Sequence, residues 1–455
     1  MRVAVAIVHE VRELLQQDSD QLGELLEEIH DEDIADLLKL LDDEDAIKVL
    51  EHLSVESAAD VFERLDEPEQ AAMVEEFGAE RLAPIASEMA PDDLTDLVGE
   101  LPERVGDRLL DTVAPEAAAE VEELLHWADD TAGGLMTTEF VAVSPDRTVN
   151  EVISAVREQG EEVETVYYCY ALEQDDTLVG VASLRDLILA EGHEPLRDVM
   201  TENVFTVAPE TDQEEVVHVL NRYDFTAIPV LDAEGRMLGL ITHDDVMDVM
   251  VEEQTEDVQR LAGIEPIEDA YFQTSFLKFL SKRAPWLAIL FAGQFVTESV
   301  LRHYDPVIQA VTQLTYYLPL LVSTGGNSGA QSASLIIRGL GTGEIVVHDW
   351  WRVLVRELGQ GLVLGVGLAS VGMARVWMVG DLNGMVLTIG VTVIAIVVTG
   401  CTIGGMLPLL LKRLGLDPAT SSVPAIATLV DVFGILLYFA VAQLVLAQVL
   451  SQAGL

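Results

Sequence analysis

The sequence predicts a multidomain membrane protein: an all-α superhelical domain, a duplicated α/β domain, a linker helix and an α-helical transmembrane domain of five spans. Three observations predict it. First, 71 of the 79 acidic residues but only 15 of the 25 Lys and Arg precede residue 271, so the front carries a net −56, whereas 8 acids and 10 basic residues leave the rest at +2. Second, residues 306–337 hold no charged side chain although their centre is the polar string STGGNSGAQS. Third, residues 135–250 contain an internal repeat. The predicted limits are 1–130, 131–252 (copies 135–198 and 199–252), 253–283 and 284–455.

Residues 9–128 read as short amphipathic helices, among them DEDIADLLKLL, SVESAADVFERL and APDDLTDLVGEL. Leucines recur at steps of three and four, and Asp, Ser or Pro opens each piece as helix N-termini prefer. A stack of helical hairpins follows. In the repeat, LMTTEFVAVSPDRTVNEV at 135–152 lines up with VMTENVFTVAPETDQEEV at 199–216, and LVGVASLRDLI at 178–188 with MLGLITHDDVM at 237–247. Each copy reads as strand, helix, strand, turn, strand and helix.

Five apolar runs approach the roughly 20 residues needed to cross a bilayer. They are Pro285–Leu301, Pro306–Ile337, Gly361–Val379, Gly384–Leu411 and Val423–Leu450. The glycine-rich centre of the second predicts broken backbone, which survives at membrane depth only where protein or a water-filled cavity satisfies it. Lys278, Lys282, Arg283, Arg338, Arg352, Arg356, Lys412 and Arg413 fall on one side of these runs, with Arg302 and Arg375 on the other. That bias places the N-terminus in the cytoplasm and the C-terminus outside the inner membrane. MRVAVAIVHEVRELL reads as no secretory signal, which agrees.

Asp431 lies deep in the fifth run, and a carboxylate there costs several kcal/mol unless hydrated or paired, so it reads as an ion-pathway residue; the alternative is a structural Asp hydrogen-bonded to a neighbouring helix. Pro424 and Gly434 flank it and are expected to loosen the helix. Glu298 reads as an interfacial side chain. Acidity excludes general affinity for nucleic acid or anionic lipid. It fits adaptation to concentrated salt, since the chain has only five lysines, and it fits binding of hard divalent cations. Cys169 and Cys401 read as packing residues, and no catalytic motif is present, so no enzyme is expected.

The repeat resembles a pair of CBS motifs, a compact tandem α/β domain that often dimerises and regulates an attached enzyme or channel. Thr242 and Asp244 stand where that family often contacts a nucleotide ribose, so ATP or another adenine nucleotide is an implied ligand; a plain helix N-cap at Thr242 is the alternative. Ser183 and Arg185 in the first copy weaken such a site there. The whole order resembles the MgtE family of magnesium channels, with PLLVSTGGNSGAQSASLIIRGL matching its second span and DPATSSVPAIATLVDVFG its fifth. That resemblance implies a homodimer in the lipid bilayer with two copies of Asp431 at a central pore, and Gly325, Gly326, Asn327, Gln331 and Pro424 near it. It further implies Mg2+ sensing by Asp92, Asp96, Asp212, Glu214, Asp224, Asp245, Asp248, Glu256 and Asp257. The expected function is passive, magnesium-selective influx gated closed by cytoplasmic Mg2+. The alternatives are a channel or carrier for Co2+, Mn2+ or Zn2+, or a non-conducting CBS-containing sensor.

Overall fold

The computed structural model describes residues 2–17, 21–160, 163–267, 271, 274–380, 383–420 and 423–452. It divides into two compact units, 1–250 and 251–455.

Helices build the first part of unit one from Arg2–Gln16 onward. Asp42 caps the helix Asp43–His52, accepting the Asp45 amide at 3.1 Å, and Ser54 caps Val55–Glu63 in the same way. Each such cap satisfies one orphan amide, worth about 1 kcal/mol. Asp31–Leu38 packs between Arg2–Gln16 and Val55–Glu63, which in turn meets Ala79–Ala86. In a second layer Pro91–Glu100 packs between Glu67–Phe77 and Pro115–Leu124. Each helix is too short to stand alone and buries its apolar stripe on the next but one, which makes a superhelix. One continuous core results, running from Ala4 and Val11 through Leu50, Phe62 and Leu82 to Val121.

The first repeat forms a three-stranded sheet: Phe140–Val143 lies parallel to Thr165–Leu172, which pairs antiparallel with Leu178–Ser183. Helices Val149–Gln159 and Leu184–Leu189 accompany it, as expected. In the second repeat Ala227–Leu231 and Met237–Thr242 pair antiparallel, and the expected leading strand is reduced to a single bridge, Val207 to Val230. The copies join through Thr137 and Leu240, which exchange both backbone hydrogen bonds at 2.8 and 2.9 Å. Ser183 and Asp186 form a capping box in the first copy; in the second, the Thr242 amide and hydroxyl both donate to Asp245 Oδ2, at 3.3 and 2.6 Å.

The last helix of the repeat, His243–Leu261, runs without a break into the linker. It stops because Gly263 turns left-handed (φ 76°), with its amide on the Arg260 carbonyl and the Ile264 amide on that of Gln259. This is the two-bond closure glycine permits at a helix end. The expected single linker helix over 253–283 is therefore corrected: residues 276–283 are the first turns of the next helix, Phe276–His303.

Among the described residues, four helices are long and apolar enough to cross a membrane: Phe276–His303, the stretch Val347–Val379, Gly384–Arg413 and Val423–Val445. A further helix, Leu314–Gly341, is 28 residues long and carries the glycine-rich string. Its backbone is continuous, which corrects the expectation of a break. Thr324, Ser328 and Ser334 donate their hydroxyls to carbonyls four residues back at 2.6, 2.8 and 3.0 Å, so these side chains are satisfied within the helix. The glycines serve close approach instead. A Cβ on Gly400 would stand 2.6 Å from the Gly325 carbonyl oxygen, and one on Gly404 would overlap the Gly329 carbonyl. Small residues at four-residue spacing let two membrane helices touch backbone to backbone.

Candidate ion pathway and acid cluster

The glycine-rich helix packs on Asn383–Arg413 and Val423–Val445, and Phe276–His303 covers the latter from another side. Gly325 is buried against Ile396 and Val430, and Gly326 is buried near Ala427. Both glycines therefore form a helix contact, which revises their expected place in the pore lining. A different face of the same helix carries Ser323, Asn327 and Gln331, spaced four apart and all exposed in the protomer. The Asn327 amide donates to Ser323 Oγ at 3.5 Å. Asp431 is half-buried and hydrogen-bonds the side chain of Gln294. Its helix is regular over Val423–Val445, with Pro424 in the first turn described and Gly434 against Ile396, so neither residue breaks it there.

In unit one the expected acids separate into two groups. Asp92 projects from Pro91–Glu100 toward Asp245 on the last repeat helix and Glu164, with Asp93 and Asp96 of its own helix beside it. Burial is the main cause that raises the Asp92 carboxyl well above its ordinary value, followed by the charges of Asp245 and Glu164. Burial and then Asp92 push Asp93 up to about 9, and burial followed by Asp245 pushes Glu164 up to about 7. Asp245 is also raised by burial, against the Thr242 hydrogen bond, and Asp248 is raised by burial, Asp244 and Glu32. In each of these groups burial is the larger cause and the neighbouring carboxylates add to it.

Asp212, Glu214 and Asp224 are placed differently. Asp212 caps the helix Gln213–Tyr223, accepting the Glu214 amide at 2.9 Å, and Asp224 ends it in the left-handed region. Twelve residues of helical rise separate these two acids by roughly 18 Å, too far to share one ion. Glu256 pairs with Arg260, whose Nη1 also donates to Asp417 Oδ2 at 2.6 Å; Asp257 is exposed. Sequence reasoning missed Asp93, Glu164, Arg260 and Asp417, because no spacing or motif distinguishes them from other surface charges.

A divalent cation fits the Asp92 cluster. Asp92 Oδ1 is shut off from solvent and has no hydrogen-bond partner, the position an ion or its bound water would fill. Among the described residues no three Asp, Glu, His or Cys side chains already stand as a metal cage. Mg2+ does not need one, since it is usually held by one or two carboxylates and keeps several waters. Thr242 directs its hydroxyl at Asp244 Oδ1 and Asp245 Oδ2, both 2.6 Å away.

Comparison with known proteins decides the family. Residues 318–441 match the MgtE divalent cation transporter domain, 29–130 the MgtE intracellular N domain, and 132–193 and 196–252 CBS domains. The magnesium transporter MgtE of Thermus thermophilus is 43% identical over 342 residues, 75% of this chain and 76% of its own length. This chain belongs to the MgtE family. The Enterococcus faecalis magnesium transporter MgtE is 36% identical over 72% of each chain. The crystal structure of the soluble part of a magnesium transporter superposes with a TM-score of 0.52 at 32% identity, covering 55% of this chain and 99% of that one. The cytosolic domain of the Mg2+ channel MgtE, solved in complex with ATP, superposes with a TM-score of 0.51 at 40% identity, covering 53% and 99%. As in other MgtE proteins, a transporter domain follows a helical domain and a CBS pair, and the chain is a membrane transporter rather than an enzyme.

Proposed function

We propose that the chain is a passive, magnesium-selective channel that works as a homodimer and is closed by Mg2+ on its cytoplasmic side. The observation that carries this reading is the stripe Ser323, Asn327 and Gln331, exposed on a helix of the membrane domain whose neighbour carries Asp431. Polar side chains at membrane depth do not face lipid, so the stripe calls for water or a second copy of the chain. Five spans put Leu314–Gly341 across the bilayer with the four apolar helices. A two-fold axis would then bring two copies of Asp431 to one pathway. Two carboxylates can recognise a hydrated Mg2+ without stripping it, and they let it leave because few direct bonds form.

On the cytoplasmic side the crowded acids Asp92, Asp93, Asp96, Glu164 and Asp245 supply the sensor. Without a cation they repel, and with Mg2+ the compact arrangement is favoured, which couples sensor occupancy to the pore. The fit of the orphaned Asp92 Oδ1 supports this reading. Asp248, Glu256 and Asp257 extend the acidic surface along the same long helix and its linker. A nucleotide on the CBS pair is proposed by analogy with the ATP-bound relative. The domain limits at 130 and 252 and the cytoplasmic N-terminus belong to the same proposal.

Purified protein in liposomes tests it. Mg2+ should enter down its gradient without an energy source, with Co2+, Mn2+ and Zn2+ passing poorly. Removing residues 1–130, or neutralising Asp92, Asp96, Glu256 and Asp257 together, should leave flux open at high Mg2+ on the cytoplasmic face. Wild-type flux indifferent to that Mg2+ would end the sensor assignment.

A further inference from the structure

Glu357 is 4% exposed although it lies seven residues into the 30-residue helix Trp350–Val379 of the membrane domain. Its Oε2 accepts the hydroxyl of Ser332, 2.6 Å away on the glycine-rich helix. Ser332 is 5% exposed and also bonds Cys401, on the helix Asn383–Arg413, which is 2% exposed. Gly405, one turn on, leaves room for the acid, because a Cβ there would come within 2.7 Å of Glu357 Cγ. Three helices thus meet at one buried polar contact. Elsewhere Trp350–Val379 turns Gly361, Gly365, Ala369 and Gly372 to the interior, so an apolar residue at 357 would continue its packing face. A buried carboxylate costs free energy that such a residue would not, and in membranes it marks function.

We propose that Glu357 is a positioning residue for the ion pathway: by holding Ser332 it sets the rotation of the glycine-rich helix, and so the direction of Asn327 and Gln331. At 100° per residue, Ser332 lies roughly 140° around the helix from the middle of the Ser323, Asn327, Gln331 stripe. Pinning one side therefore aims the other. Ile396, Ile426 and Val430 pack against Gly325 and Gly329, and Gly400 and Gly404 approach them backbone to backbone, but these contacts are non-directional. The Ser332–Glu357 hydrogen bond adds a directed constraint to them.

This inference rests on the reading of the stripe as water-facing, and the test separates the two. In the full-length protein in liposomes, a thiol introduced by Asn327→Cys or by Ser328→Cys is labelled with a membrane-impermeant reagent; the native Cys169 and Cys401 are buried and give little background. Without other changes, position 327 should react faster than 328. Adding Glu357→Ala or Ser332→Ala should lower that 327:328 ratio about ten-fold, the scale of one buried hydrogen bond. The two together should do no more than either alone. Glu357→Gln should restore the ratio and the Mg2+ flux, because its amide oxygen accepts the same hydroxyl at the same length. A ratio unmoved by Glu357→Ala, or Glu357→Gln as damaging as Glu357→Ala, would overturn the positioning role. No labelling at 327 in the unmodified background would overturn the pathway reading itself and this inference with it.

Discussion

Arg260, at the end of the linker helix, donates to Asp417 at 2.6 Å, and Asp417 begins the turn Pro418–Thr420 that leads toward the helix carrying Asp431. One residue on, Leu261 packs against Ala333, Ile337, Ala419, Ile426 and Val430. The linker is therefore tied by charge and by apolar contact to both helices that flank the proposed pathway. Arg260→Asp should weaken closure by cytoplasmic Mg2+, and combining it with Asp417→Arg should restore closure by re-forming the pair with its charges exchanged. Patch recording with Mg2+ varied on the cytoplasmic face reads both, and an exchanged pair no better than the single variant would remove this link from gating.

The proposed pathway takes its charge from Asp431. Asp431→Ala should abolish Mg2+ uptake while leaving the purified protein intact. Asp431→Asn keeps the hydrogen-bond partner for Gln294 but not the charge, and should lose most of the preference for divalent over monovalent cations. Flux and reversal potentials in mixed salts measure the two effects.

Closure should depend on pH in a defined direction. Glu164 is raised to about 7 and Asp93 to about 9, so the packed acid cluster holds protons that the separated carboxylates would release. Packing without Mg2+ is accordingly most stable near pH 4 and is lost as pH rises through 7 and then 9. Protons and Mg2+ each relieve the same repulsion, so protonation favours the packed, closed arrangement without the ion. The Mg2+ needed for half closure should therefore rise between pH 6 and pH 8, and Asp93→Asn should flatten the upper part of that curve. Current recorded across this range checks the sign.

The glycine crossing predicts a stability effect. A methyl at 404 overlaps the Gly329 carbonyl, which belongs to backbone and cannot rotate away. Gly404→Ala should therefore separate the two helices and cost about 1–3 kcal/mol, the usual range for overpacking. Gly359→Ala, where nothing lies within 4 Å of the added methyl, is the control. Thermal unfolding of the detergent-solubilised protein compares them.

Periodicity, charge and duplication in the sequence were enough to determine the chain's order of parts: acidic helical hairpins, a repeated α/β unit and a hydrophobic end. These are local or compositional signals, and neighbouring residues carry them. Asp431 was legible for the same reason, since one acid within a long apolar run is conspicuous wherever the run lies. The tertiary structure decided what depends on contacts between distant segments. STGGNSGAQS looks the same whether glycines break a helix or let it touch another, and only Gly400 and Gly404 opposite Gly325 and Gly329 settle that it is contact. Glu164 joins Asp92 across more than 70 residues of chain, and Glu357 meets Ser332 across 25. Burial creates the crowding in the first pair and the isolation in the second, and burial is a property of the packed molecule rather than of any stretch of its sequence.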